Sequence, residues 1–456
     1  MQGPTRRGFI TGCSAAVAAY AGSRFNTLAF GQPGTNQEVL VSVFLRGGCD
    51  GLNLVLPTTG TDRGHYEAAR PDIAVPLTGS NAAIALNGQF GFHPATHTSP
   101  GGVPATLFDL FSEDKLSIVV AAGMHEDNRS HFESMAFMEL GTPGVTTTAT
   151  GWLTRHLLTA GNIPSQVVMP ALAVGNLQQA SLQGSIEAIN MTNPDSFSLS
   201  TGPYQWRTAQ RLALRNLYGA DTWLHQAGSE TLDAVDIIEL NSGDNYEPAN
   251  GAVYPSSSFG QHLQTIARMI RLELGLQVAT VDLGGWDTHN NQGSDGGGYF
   301  YSKVEDLARG LAAFYTDLNG SGSQNHASRL TLVVQSEFGR RLRENADRGA
   351  DHGHGNMMMV LSGNATGGLH GVWPGLANHQ LFEGADLEVT TDYRRVLSEI
   401  LIRRMGNPRI GEIFPGYQGY SPMGVVQGSD TPPIGEPIFS DGFEDGTAGA
   451  WSQEIG

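Results

Sequence analysis

The segment Val39-Leu40-Val41-Ser42-Val43-Phe44-Leu45 is apolar almost throughout and rich in β-branched residues, so a strand made from it has no face suited to water. Residues 116–122, 276–283, 330–335 and 357–361 repeat the pattern. Between the later runs, Phe259, Leu263, Ile266, Ile270 and Leu274 share one helical stripe, as do Val304, Leu307, Leu311, Phe314 and Leu318. Asp392 stands where an N-cap opens a helix over 393–405. Strands buried on both faces and alternating with amphipathic helices predict an α/β protein with a mostly parallel sheet flanked by helices. Sixty of the 456 residues are Gly, close to double the usual share of about 7%, which predicts tight turns and close backbone approaches.

The ends of the chain read differently. Thr5-Arg6-Arg7-Gly8-Phe9-Ile10 followed by an Ala-rich apolar run has the form of a twin-arginine export signal over residues 1–31, which places the product in the periplasm or outside the cell. No later stretch is apolar for long enough to predict a transmembrane segment. The pattern blurs from 175 to 254, an expected insertion or cap with a helical stretch near 206–232. Residues 425–437 read as a Gly/Pro-rich linker and 438–456 as a short tail containing Trp451. The first 31 residues hold three Arg and no acid, so without them the formal charge moves from −18 to −21. Such a chain is a poor partner for nucleic acid, which rewards positive charge. Without the signal, Cys49 is the only cysteine, which predicts no internal disulfide.

Several of the buried runs pass directly into Gly-rich loops carrying acids or histidines. They deliver Arg46-Gly47-Gly48-Cys49-Asp50-Gly51, then Gly123 to His131, then Gly285-Trp286-Asp287-Thr288-His289, then Ser336-Glu337-Phe338-Gly339-Arg340 and Asp351-His352-Gly353-His354-Gly355. Loops at the carboxyl ends of neighbouring strands converge, and carboxylates with imidazoles suit Zn²⁺ or Mn²⁺. Asp50, Asp287, His289, Glu337, Asp351, His352 and His354 are the candidate ligands, for one or two ions. On an extended loop His352 and His354 point the same way; the bland alternative is a polar turn. Glu337 is a ligand or a partner of Arg340 or Arg341, and Asp50 is a ligand or a turn-former. Ser130-His131-Phe132-Glu133 has the spacing of a capping box, yet a hydroxyl at a helix start is also placed to act as a nucleophile.

Taken together, the export signal, the segment 44–53, Arg129-Ser130-His131-Phe132-Glu133 and the three later motifs resemble the domain of unknown function 1501 family, exported bacterial proteins placed in the alkaline phosphatase and sulfatase superfamily. The resemblance spans 37–424 and implies an α/β/α sandwich with a two-metal site for ester hydrolysis. It implies Asp50 as the ligand after the first strand, Ser130 as nucleophile, Asp287 with His289 at one ion, and Glu337 with His352 or His354 completing the set. The chain departs from the superfamily in three places. Asp287 and His289 are two residues apart where four is usual, Phe338 replaces a His, and Cys49 lacks the context for formylglycine.

These readings predict an exported, metal-dependent hydrolase of phosphate or sulfate esters. Its substrate would be a small anionic ester or an envelope polysaccharide, with Ser130 and His131 at the reacting centre and Arg46 or Arg129 steadying the anion. One rival reading is a non-catalytic, metal-stabilised surface or binding protein that keeps the fold, and a second is a metal-dependent transferase decorating envelope polymers.

Overall fold

Alternation along the first buried strand sets the architecture: Val39, Val41, Val43 and Leu45 join one core, while Leu40 and Phe44 join another on the opposite face. The structure is a computed structural model describing residues 38–435 except 99–104, 162, 164–166, 168, 200–201 and 242–245. The expected signal (1–31) and tail (438–456) lie outside the described residues.

The strands are β1 (Val39–Arg46), β2 (Val55–Pro57), β3 (Ile84–Ala85), β4 (Phe90–Phe92), β5 (Leu116–Gly123), β6 (Ala171–Val174), β7 (Ala188–Met191) and β8 (Val278–Gly284). They continue with β9 (Leu330–Gln335), β10 (Arg340–Glu344), β11 (Ala350–His352), β12 (Asn356–Ser362), β13 (Gly368–His370) and β14 (Thr391–Asp392). Among the described residues nine of them form one sheet in the order β13-β5-β12-β9-β1-β8-β6-β7, with β14 also on β5. All pairings are parallel except those of β12 with β5 and β9. Strands β2, β4 and β3 make a small separate sheet, and β10 with β11 a two-stranded one.

Helices Ser258–Arg271 and Gly298–Leu318 bury the two predicted stripes against the first face. Helices His131–Leu140, Trp152–Thr159 and Tyr393–Arg403 cover the other, giving an α/β/α sandwich. Asp392 caps its helix as expected, accepting from the Arg394 amide at 2.9 Å.

Two boundaries differ from the sequence expectation. The stretch 175–254 is partly integral: β7 extends the sheet, and Ala234, Ile237 and Ile238 of helix Trp223–Asn241 enter the core. The expected linker begins inside the domain. Val425 and Val426 are fully buried, and Glu399 accepts from the amides of Gly424 (2.9 Å) and Val425 (2.6 Å). A buried carboxylate that collects backbone donors ties this segment down, a contact invisible in composition.

His156 is buried inside helix Trp152–Thr159. Asn407 Nδ2 donates to its Nδ1 (3.0 Å), so Nε2 carries the proton, and it has no partner. Burial pushes the imidazole pKa down from 6.5 to about 4. The folded state holds the ring neutral, so this stability is present above pH 6.5 and is lost as pH falls toward 4, on the order of 3 kcal/mol in all. In thermal unfolding from pH 7 to 4, the Tm deficit of His156→Asn relative to the parent should shrink as pH falls; a constant deficit would contradict this.

Candidate metal centre

Register brings the polar loops together. Arg46 of β1 lies opposite Gly284 of β8, and Phe44 opposite Gln335 of β9, so the segments 47–50, 285–289 and 336–339 leave the sheet side by side. Strand β5 ends at the same rim and leads through 124–130 into helix His131–Leu140. Strand β12 runs the other way, with Asn356 opposite Ala122, so the residues preceding it arrive at that rim as well.

Glycine permits the close approach. Gly47 has φ +115°, and a Cβ there would stand 2.6 Å from the Asp287 amide nitrogen. Gly339 lies backbone to backbone on the histidine loop, donating to the His354 carbonyl (3.0 Å) and accepting from the Gly353 amide (2.9 Å). The fully buried Arg340 guanidinium threads between these loops. It donates to the carbonyls of Gly48 (2.7 Å), Ala350 (2.8 Å) and Trp286 (3.2 Å), and to Asp287 Oδ1 (2.6 Å). Burial works against the Asp287 carboxylate, but the Arg340 hydrogen bond and charge hold its pKa below the usual value.

Three imidazoles converge on that same oxygen. His131, His289 and His352 place Nε2 at 3.5, 3.2 and 3.6 Å from Asp287 Oδ1, and the last two nitrogens are 2.9 Å from each other. Candidate ligand atoms of His131, Asp287 and His352 all lie within 4.8 Å of one another. On the far side of each ring, Nδ1 meets an acceptor: Glu337 Oε1 for His131 (2.7 Å), Asp351 Oδ1 for His289 (3.0 Å) and the Arg129 carbonyl for His352 (2.8 Å). Carboxylates and carbonyls only accept, so each Nδ1 donates, and each Nε2 is the ring atom that faces inward. His131 Nε2 is buried with no hydrogen-bond partner. The hydrogen bond to Glu337 raises the His131 pKa against the effect of burial, whereas burial lowers that of His352. Two lone pairs 2.9 Å apart beside a carboxylate repel unless a proton or a metal ion is shared between them.

The surroundings of the cluster sort the other candidates. Glu337 is buried and holds His131 while accepting from the Gly47 amide (2.8 Å) and Ser336 Oγ (3.0 Å). Asp351 holds His289 and accepts from Asn345 Nδ2 at 2.9 Å. Asp50 stands outside the group: Arg70 (2.7 Å) and Gln292 (2.7 Å) both donate to its Oδ2 in the interior. His354 also stands outside, stacked on Phe382 at 4.0 Å, with burial lowering its pKa to about 4. His352 and His354 therefore do not point the same way: Gly353 lies flat against the Gly339 and Arg340 backbone, and the chain bends at His354. Phe338 packs its ring against His131 and His352, at 4.9 and 4.8 Å between centroids.

The capping box at Ser130 does not form. Asn128 does that work, accepting from the Ser130 amide (2.7 Å) and donating to Glu133 (2.9 Å). Ser130 is the N-cap residue with no side-chain cap bond, so its half-buried hydroxyl is free of described partners. The two candidate anion-binding arginines are occupied. Arg46 pairs with Glu139 and with Asp282 (3.0 Å). Arg129 pairs with Asp127 (3.3 Å), Glu383 (2.8 Å) and Asp386 (2.9 Å). Sequence reasoning missed Arg340 as the partner of Asp287, and nothing in a sequence marks the Arg129 carbonyl as the holder of His352.

Fold and site together define a mixed α/β protein with an imidazole–carboxylate cluster on the carboxyl rim of its sheet. Residues 203–409 match the family described as "Protein of unknown function (DUF1501)". The match includes Asp287, His289, Glu337, Arg340, Asp351 and His352, whereas Ser130 and His131 lie before it. No curated protein and no solved structure matches the chain.

Gly47→Ala should disturb the cluster through both its positive φ and the contact with Asp287, at a cost of about 1–3 kcal/mol. Gly60→Ala is the control, since φ is +71° but nothing lies within 4 Å of a Cβ. Thermal unfolding of both variants should show the larger loss at position 47; equal losses would dismiss the contact.

Proposed function

We propose that this chain is an exported, metal-dependent hydrolase of phosphate or sulfate esters, related to the alkaline phosphatase and sulfatase superfamily. The observation that carries the reading is the convergence of His131, His289 and His352 through Nε2 on Asp287 Oδ1, each Nδ1 anchored from behind. A mixed N/O donor set of this kind suits Zn²⁺ or Mn²⁺. The unpartnered His131 Nε2 and the close approach of His289 to His352 are what an ion site would leave without its ion. One ion fits better than two, because Asp50 and His354 are engaged elsewhere and Glu337 and Asp351 serve to hold imidazoles. The twin-arginine signal supports export of the folded chain.

A divalent ion in this position supplies Lewis acidity toward an ester oxygen and favours the deprotonated form of a neighbouring hydroxyl. The remaining work falls to the protein. Arg340 keeps Asp287 ionised and fixed, and Glu337, Asp351 and the Arg129 carbonyl keep three ring orientations. Phe338 closes one side of the cluster to water. The Ser130 hydroxyl, free and at the start of a helix, is the nucleophile of this reading, since the helix dipole there favours negative charge.

A specific observation favours the second reading, a metal-stabilised protein without turnover. Arg46 and Arg129 are both spent on carboxylates, in a chain whose formal charge is −18, so neither greets an anionic ester. Assay of the metal-loaded protein on aryl phosphate and aryl sulfate separates the two. The hydrolase reading predicts turnover that falls about 10³-fold or more in Ser130→Ala with metal retained. Absence of turnover on both esters would decide for the second. Under either reading, Glu337→Gln loosens the His131 ring and should weaken metal binding about 10–100-fold in a competition titration. Unchanged affinity would remove Glu337 from the supporting set.

A further inference from the structure

Two strands across the sheet from the cluster, the carboxyl ends of β6 and β7 frame an open surface pocket of about 390 Å³. That volume lies within the roughly 300–1,000 Å³ typical of ligand clefts. Its lining includes the exposed Asn176, Asn190, Thr192 and Asn193 and the partly exposed Phe197. None of the lining residues is charged, although the chain holds 44 acids. The nearby Asp195 is turned away into a 2.8 Å ion pair with Arg268.

Most of the polar side chains here are unspent, the Ser196 hydroxyl being the exception that donates to the Asn193 backbone carbonyl (2.9 Å). The Asn176, Asn190 and Thr192 side chains have no hydrogen bond to another described residue, and Asn193 uses only its carbonyl oxygen, to accept from the Asp195 amide (2.9 Å). Gly175, at φ +150°, keeps one wall free of a side chain. An amide both donates and accepts within one short group, as a pair of neighbouring sugar hydroxyls does. The partly exposed Phe197 ring offers the apolar surface that the C–H face of a pyranose ring needs. An anion would find no positive charge, and a cation no carboxylate.

We propose that this pocket binds a neutral sugar unit of an oligosaccharide. Binding here does not depend on whether the metal centre turns over. If it does, the pocket is a subsite for a glycan whose esterified unit reaches the cluster along the same rim. At about 4.8 Å per strand, the lateral offset from β8 to β7 is roughly 10 Å, a span of two or so sugar rings. The exposed Leu177 (83% accessible), next to Asn176, is an apolar step at the pocket edge.

The test is calorimetric titration of the full chain with uncharged hexasaccharides of glucose and of N-acetylglucosamine, and with a neutral blocked hexapeptide as the competing chemistry. The proposal predicts saturable binding of a saccharide, weakened about tenfold or more in Asn176→Ala/Asn190→Ala and unchanged in His352→Ala. A matching melting temperature for the double variant shows that the loss is local. No saturable binding of either saccharide, binding of the peptide alone, or affinity unaffected by the double variant would each overturn it. Loss of ester turnover in His352→Ala with saccharide binding intact would leave this proposal standing and test only the metal centre.

Discussion

One buried guanidinium holds the site together. Arg340 has no exposed surface to speak of, and burying a positive charge is expensive unless every donor finds an acceptor. Carbonyls from the β1 loop, the β8 loop and β11, together with the Asp287 carboxylate, meet that demand. The same bonds that satisfy Arg340 also fix where the loops stand relative to one another. Asp287 is left with its oxygen facing three imidazoles, and the close glycine contacts at 47, 339 and 353 follow from loops drawn this near.

Around that clamp the site is layered. The inner atoms are three imidazole nitrogens and one carboxylate oxygen. Behind them stand Glu337, Asp351 and a backbone carbonyl, each setting a tautomer. A further ring of contacts anchors those, with Ser336 and the Gly47 amide on Glu337, and Asn345 on Asp351. Four of the carboxylates and imidazoles that look alike in the sequence therefore do different work. Asp50 neutralises Arg70 in the interior, His354 packs as an aromatic ring, and Glu337 and Asp351 orient their neighbours. The distinction is one of depth and direction, which spacing along a chain does not encode.

The sheet and its flanking helices were legible because burial on two faces leaves a mark in every residue of a strand such as 39–45. The two helical stripes were legible for the same reason. The loops that meet were legible from their position at strand ends. What escaped was anything decided by a single backbone contact. The reversed direction of β12, the bend at His354 that parts it from His352, and the replacement of a Ser130 cap by Asn128 all depend on local geometry between residues distant from each other or competing for one amide. The burial of Val425 and Val426 escaped for a related reason. A Gly/Pro-rich segment looks like a linker until a buried Glu399 collects its amides.

The central claim is that His131, His289, His352 and Asp287 hold one cation. X-ray absorption on the full chain loaded with Zn²⁺ and freed of excess metal tests it most directly. The account predicts about one ion per chain with imidazole nitrogens dominating its first shell, and loss of that signature in His352→Ala with the fold retained. Zn²⁺ at trace level, or a bound ion whose spectrum shows no imidazole and does not change in His352→Ala, would contradict it.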